Sequence, residues 1–119
     1  MTTRIPTNRR PTSPGEMLLE EFIKPIGISQ KAFAQRLGIT VVRLNELIHG
    51  KRSLSVDSAL RLEQVLGMSA DFWMRLQLGC DLYDARHSKD ARLIAKLTPL
   101  KIAANTEAAN ELASASNRH

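Results

Sequence analysis

The chain has 119 residues, of which 43% are hydrophobic, enough for one domain with a modest core. Its formal net charge of +5 indicates a polyanionic partner, and its single cysteine excludes an internal disulfide framework. No run of residues reaches the apolar length of a membrane span and the N-terminus lacks a signal-peptide core, so we expect a cytoplasmic protein with no membrane partner.

Residues 1–13 form the first segment and contain two prolines, four threonines and three arginines. Such a segment buries too little apolar surface to offset the entropy lost on ordering. We therefore predict a flexible basic N-terminal arm. The arm either contacts DNA or carries its charge incidentally, and the sequence leaves both interpretations open.

A helical domain is predicted over residues 14–87. Pro14 suits the first turn of a helix, and Glu16 favours the positive end of the helix dipole. Pro25 and Gly27 are expected to end this first helix.

Residues 29–52 show the pattern of two short helices joined by a tight turn. Ser29 and Thr40 are placed to cap the two helices, while Gly38 and Gly50 follow their last turns. Two helices held at a steep angle project the second one outward, where it can enter a DNA major groove.

The outward face of the second helix follows from its periodicity. With Leu44 pointing inward at 3.6 residues per turn, Val42, Asn45, Glu46 and His49 point outward. An exposed Val42 is unexplained in a merely solvated hairpin, which is the alternative interpretation, but it suits contact with a thymine methyl.

Charge is distributed unevenly along the domain. Residues 29–54 hold five basic residues and one acidic residue, a net charge of +4. Residues 55–88 hold three basic and five acidic residues, a net charge of −2. The positive charge is therefore concentrated on the hairpin, as contact with phosphates requires.

Two more helices are predicted after Ser55 and after Ser69, the second reaching about Arg86. This last helix carries more large apolar side chains than one buried stripe needs, which favours a second surface buried against another copy of the chain. The alternative is that all its aromatic residues belong to the core. The predicted dimer interface consists of Phe72, Trp73, Leu76, Cys80 and Tyr83.

Residues 88–119 form a C-terminal extension. Leu93, Ile94 and Leu97 permit one short helix, which Thr98-Pro99 would break. Beyond that point few large apolar residues remain, so disorder is our expectation.

No catalytic or metal-binding constellation is present in the sequence. Cys80, Asp84 and His87 share one helical face, but a straight helix offers no strained turn or oxyanion donors to activate a nucleophile. The three histidines and the cysteine lack metal-ligand spacing. We predict no enzymatic activity, no cofactor and no metal.

The hairpin resembles the DNA-binding core of the lambda-repressor-like (Xre) helix-turn-helix proteins. The positions that carry this resemblance are Gln30, Ala34, Gly38, Ile39, Leu44 and Leu47. Further motifs, at residues 14–22, 43–47 together with 50–52, 59–62 and 72–73, make residues 14–86 similar to the HigA (VapI-type) antitoxins.

The resemblance implies an all-α, five-helix lambda-repressor-like domain with a helix-turn-helix formed by helices 2 and 3. It implies an antitoxin of a type II toxin–antitoxin system, which represses its own operon as a homodimer on a palindromic operator. It also implies direct neutralisation of a small RNase toxin of the RelE-like class. A stand-alone Xre-type transcriptional regulator without a toxin is the alternative.

The resemblance also assigns residues to the double-stranded DNA. The residues expected to contact bases are Gln30, Val41, Val42, Arg43, Asn45 and Glu46. Arg43 would reach guanine if its side chain turns forward and a phosphate if it does not. The residues expected to contact phosphates are Lys31, Thr40, Lys51 and Arg52.

Overall fold

The computed structural model describes residues 9–101, and every regular element in that range is helical. Helix α1 covers residues 14–26 in three contiguous segments, an α-helical Pro14–Leu18, a π-helical Leu19–Ile23 and a last α-helical turn Lys24–Ile26. The helices that follow are α2 (Gln30–Leu37), α3 (Val41–Ile48), α4 (Val56–Leu66), α5 (Ala70–Arg86) and α6 (Ala91–Ala95). The predicted all-α class with its five-helix domain is confirmed.

Contacts divide the chain after Ser88 into two compact units. Helices α1 to α5 belong to the first unit. Helix α6 belongs to the second, at the place predicted for a short helix, and no regular element follows it up to residue 101. The predicted disorder beyond that point lies outside the described residues.

Each helix of the first unit begins at a serine or threonine cap. The side-chain oxygen accepts a hydrogen bond of 3.0–3.2 Å from the backbone N–H three residues later. These caps are Ser13, Ser29, Thr40, Ser55 and Ser69. Because such a cap satisfies an otherwise unpaired N–H, the helix starts are fixed locally by the sequence.

The prediction that Pro25 ends the first helix is wrong. Pro25 lies inside the last turn of α1, and the helix ends at Gly27, whose φ is 77°. Immediately before the proline, the N–H of Lys24 donates to the carbonyl of Leu19, five residues earlier. Proline crowds the carbonyl four residues before it, and the wider π-helical segment gives the backbone room to continue.

The core of the first unit is built around one side chain from each of four helices. Leu18, Leu44, Leu62 and Trp73 are almost completely buried. The Trp73 ring packs against Phe22 and Phe72, with centroid distances of 5.7 Å and 5.2 Å. Helix α3 is therefore anchored in the same apolar cluster as α1, α4 and α5.

Two residues of the predicted dimer interface are not accessible to a partner chain. Trp73 and Cys80 have 0% exposure in the single chain. Phe72, Leu76 and Tyr83 are half-buried. The placement of Trp73 and Cys80 at an interface is wrong because both are already covered by their own chain.

The predicted flexible arm is wrong for residues 10–13. Arg10 donates to both carboxylate oxygens of Asp84, at 2.9 Å and 3.0 Å, and this hydrogen bonding holds the pKa of Asp84 below its usual value. The Sγ of Cys80 donates to the carbonyl of Pro11 at 3.4 Å. These contacts fasten the segment to α5. The part of the arm before residue 9 lies outside the described residues.

Candidate nucleic-acid interface

A short turn joins α2 to α3. Gly38 adopts a left-handed conformation with φ of 71°, and the N–H of Ile39 donates to the carbonyl of Ala34 at 3.1 Å. These features close α2, and Thr40 caps α3 two residues later. A left-handed residue favours glycine because a side chain there clashes with its own backbone.

Helix α3 buries one face and leaves the other open. Leu44, Leu47 and Ile48 are buried. Val42 is 64% exposed, and Asn45 and His49 are also exposed, as predicted. A single exposed apolar side chain is ordinary on a protein surface, but Val42 follows the exposed Val41 and lies one helical turn from the amide of Asn45.

An amide pair connects the two helices of the motif. The Nδ2 of Asn45 donates to the Oε1 of Gln30 at 3.3 Å. Within residues 9–101, the Oδ1 of Asn45 and the Nε2 of Gln30 have no hydrogen bond. The pair therefore keeps one acceptor and one amino group available, the combination that recognises the N6 and N7 edge of adenine.

Arg43 is turned toward the start of α4. Its Nη2 donates to the Oγ of Ser58 at 2.7 Å and of Ser55 at 3.2 Å, and it lies 3.4 Å from the Oδ2 of Asp57. These bonds hold the guanidinium away from Val42 and Asn45. The predicted contact of Arg43 with guanine would require them to break.

Glu46 and Arg52 form an ion pair at the edge of α3. The Nε and Nη2 of Arg52 donate to the Oε1 of Glu46 at 3.1 Å and 3.0 Å. The predicted base contact of Glu46 and phosphate contact of Arg52 therefore compete with a bond between the two residues. Because both side chains are partly exposed, the pair contributes little to stability and opens readily.

The remaining predicted phosphate contacts are exposed. Lys31 and Lys51 have no ion pair with any residue in the range 9–101. Thr40 uses its hydroxyl oxygen to cap α3, which leaves the hydroxyl proton to donate elsewhere. His49, also at this edge, bonds through Nδ1 to the carbonyl of Asn45 at 2.9 Å.

Comparison with known proteins places this interface in a family. A family model described as Helix-turn-helix matches residues 19–73, from the π-helical segment of α1 to the start of α5. Antitoxin HigA-1 of Vibrio cholerae is 38% identical over 93 residues, which cover 76% of this chain and 88% of that protein. The chain belongs to the HigA family of helix-turn-helix antitoxins.

Two further relatives extend the comparison. The solved structure of Pseudomonas aeruginosa antitoxin HigA with the higBA promoter is 34% identical in sequence. The match covers 76% of this chain and 99% of that chain, with a TM-score of 0.71. The HTH-type transcriptional regulator YbaQ of Escherichia coli is 32% identical over 80 residues, which cover 67% of this chain and 71% of YbaQ. One relative is an antitoxin solved with a promoter and the other is named a transcriptional regulator, which confirms the predicted family and agrees with the prediction that the chain is not an enzyme.

The described residues give little support for metal binding, a membrane span or a reactive thiol. Across residues 9–101 there is no group of three or more His, Cys, Asp or Glu that could hold a metal ion. In the same range no helix is long and apolar enough to cross a membrane. Burial raises the pKa of the Cys80 thiol, which disfavours the reactive thiolate.

The sequence analysis did not identify the residues of the α4 region that bond to the helix-turn-helix. Ser55, Asp57, Ser58 and Arg61, all at the start of α4 or just before it, bond to Arg43 or to the turn after α2. The spacing of Asp57 and Arg61 suggests a pair on one helix face, but their contacts with the motif span 14 to 24 residues along the chain. Such contacts leave no local signal.

Proposed function

We propose that this chain is an antitoxin that represses its own operon as a homodimer and neutralises a small RNase toxin of the RelE-like class by direct binding. The observation that carries the DNA-binding part is the outward face of α3, where exposed Val42 lies beside the Asn45–Gln30 amide pair. The Pseudomonas aeruginosa relative, solved with its promoter, supports an operator as the ligand. DNA and an RNase as partners agree with a cytoplasmic location.

Reading of the operator is divided between the exposed side chains of α3 and the residues around it. Val41 and Val42 would contact thymine methyls, and Asn45 with Gln30 would recognise adenine. Val41, Val42 and Asn45 are held in position because the opposite face of α3 is buried in the core.

Phosphates would be contacted by Lys31, Lys51 and Thr40 at the ends of the motif, which positions the protein without reading sequence. Arg52 would join them, and Glu46 would reach cytosine, once their ion pair opens.

Asn45→Ala is expected to weaken specific DNA binding by about 1–3 kcal/mol while nonspecific binding persists. The substitution removes a base-edge contact and leaves the lysines that contact phosphates. Fluorescence anisotropy titrations would compare a duplex selected by the wild-type protein from a random library with a scrambled duplex of the same length. Gln64→Ala, an exposed amide on α4, is the control and should leave both affinities unchanged. If Asn45→Ala lowers the affinity for both duplexes equally, Asn45 does not read bases.

An apolar groove between α4 and α5 supports the dimer. It is lined by Val56, Leu60, Ala70, Asp71, Met74, Arg75 and Leu78. Leu78 is 55% exposed in the single chain, and opposite charges, Asp71 and Arg75, lie in the same groove. A two-fold axis would pair each charge with its opposite on the other copy, and burial of the leucines would drive association. Leu78 and Leu60 thus replace Trp73 and Cys80 in the proposed interface.

Leu78→Glu is expected to convert the dimer to a monomer without unfolding it, because a charge would be buried at the interface but not in the single chain. Sedimentation velocity would report the assembly and circular dichroism the fold. Leu97→Glu makes the same change at an exposed leucine of the second unit and should leave the dimer intact. Unchanged sedimentation of Leu78→Glu would place the interface elsewhere.

The toxin partner distinguishes the proposal from the alternative of a stand-alone regulator. Similarity to YbaQ, a transcriptional regulator, is the observation that favours the alternative. If the proposal holds, the product of a small reading frame that adjoins the gene arrests growth, and co-expression of this chain restores growth and co-purifies that product. A chain that binds DNA but captures no product of an adjoining gene would instead be a stand-alone regulator.

A further inference from the structure

The first turns of α4 reach the end of α2 through Arg61. Its Nη1 donates to the carbonyl of Leu37 at 2.9 Å and to that of Gly38 at 3.3 Å. The last carbonyls of a helix have no partner within the helix, so they depend on groups from elsewhere. Arg61 therefore caps α2 from another helix, at the turn that sets the angle to α3.

Asp57 connects this cap to the recognition helix. Its Oδ2 accepts from the Nε of Arg61 at 2.9 Å and lies 3.4 Å from the Nη2 of Arg43, a residue of α3. The hydrogen bond from Arg61, with smaller contributions from Arg43, lowers the pKa of Asp57. Ser58 accepts from the same Nη2 of Arg43 at 2.7 Å and strengthens this end of the network.

We propose that Asp57 and Arg61 are positioning residues for DNA reading, which fix the angle between α2 and α3 by linking the carbonyls of Leu37 and Gly38 to Arg43. The inference rests on the DNA-reading function proposed for α3. It explains why Arg43 is turned away from the outward face: its guanidinium holds the recognition helix in place.

The angle matters because the proposed reading face, which consists of the exposed side chains of α3 and Gln30 of α2, is assembled from two helices. Gln30 lies at the start of α2 and Asn45 lies in α3, and their side chains meet at 3.3 Å. A small rotation of α3 against α2 would separate this amide pair, and recognition groups need to be held within about 0.5 Å of their productive positions. The Asp57–Arg61 link would thus affect DNA binding through the angle between α2 and α3, without contacting the DNA.

The network is suited to positioning more than to stabilising the fold. The side chains of Asp57 and Arg61 are 57% and 42% exposed, and ion pairs this exposed add little to folding stability. Removing the link should therefore alter discrimination between DNA sequences more than the unfolding midpoint.

The test compares Asp57→Asn with Glu21→Gln. Both residues are exposed carboxylates on helices of the first unit, so both variants lose one negative charge, and Glu21 has no side-chain bond to any residue in the range 9–101. Only Asp57 is linked to Arg43 and Arg61. The two variants also change the net charge equally, so electrostatic attraction to any DNA changes alike.

The readout is the ratio of affinities for the selected and the scrambled duplex. We expect this ratio to fall about 5- to 10-fold in Asp57→Asn, which lies within the range of coupling in hydrogen-bonded networks, and to stay within about twofold of wild type in Glu21→Gln. Sedimentation would show that both variants have the assembly state of the wild type. Arg61→Lys, which keeps the charge but not the forked donors, should also lower the ratio.

Two results would overturn the inference. One is an unchanged ratio in both Asp57→Asn and Arg61→Lys while Asn45→Ala still loses discrimination, which leaves the DNA-reading function intact. The other is an equal fall in Asp57→Asn and Glu21→Gln, which would assign the effect to the change in net charge. If Asn45→Ala itself retains full discrimination, the proposed function fails first.

Discussion

Gly15→Ala is expected to lower the free energy of unfolding by about 3 kcal/mol, although it adds only one methyl group. A Cβ at Gly15 would overlap the carbonyl oxygen of Leu47 and lie 2.8 Å from both the Cα and the carbonyl oxygen of Ile48. These are backbone atoms, so no side-chain rotation can relieve the clash. The start of α1 and the last turn of the recognition helix would have to move apart.

Urea denaturation followed by circular dichroism would measure this effect, and Gly79→Ala is its matched control. Gly79 lies inside α5, and a Cβ there would have Pro11 Cβ at 3.8 Å as its nearest neighbour, an ordinary contact. Because glycine costs entropy in a helix interior, Gly79→Ala should stabilise the fold by about 0.5–1 kcal/mol. An unfolding midpoint for Gly15→Ala equal to wild type would contradict the close approach of α1 and α3.

The contact at Gly15 shows what the sequence could not reveal. Pro14-Gly15-Glu16 is recognisable as a helix start, since a cap, a proline and an acidic residue are local signals. The reason for the glycine is the backbone of Leu47 and Ile48, more than thirty residues away in the chain. No local pattern reports which distant backbone will pack against a helix.

Helix starts and the inward face of α3 were predictable because both depend on neighbours within a few residues. Thr40 caps its own helix, and the direction of Leu44 follows from 3.6 residues per turn. The position of Arg43 depends instead on Ser58, fifteen residues later. Only the folded arrangement of α3 and α4 brings that hydroxyl within reach.

Helix α5 shows a second limit of sequence reasoning. Apolar residues surround it, so periodicity cannot decide which side faces the core. The core takes Trp73 and the segment before α1 covers Cys80, while Leu78 is left exposed. The presence of an apolar surplus on α5 was predictable, whereas the particular residues that form the surplus were not.

Leu44→Ala is expected to lower the free energy of unfolding by about 2–5 kcal/mol. Leu44 is completely buried and anchors α3 in the cluster that contains Trp73 and Leu62. The cavity left by the substitution would be costly because α3 is held by only two other buried side chains, Leu47 and Ile48. The total free energy of unfolding of a domain is about 5–15 kcal/mol, so the loss is a large fraction of it. The urea midpoint should fall accordingly.

Val42→Ala is the matched control, because it truncates an aliphatic residue of the same helix on the opposite, exposed face. Its free energy of unfolding should stay within about 0.5 kcal/mol of wild type, while its preference for the selected duplex falls through loss of the methyl contact. Leu44→Ala should show the reverse pattern, with weaker binding that recovers when a stabilising osmolyte refolds the protein. If Val42→Ala instead lowers the urea midpoint as much as Leu44→Ala does, then α3 does not present Val42 to solvent, and the reading face has to be assigned to other residues.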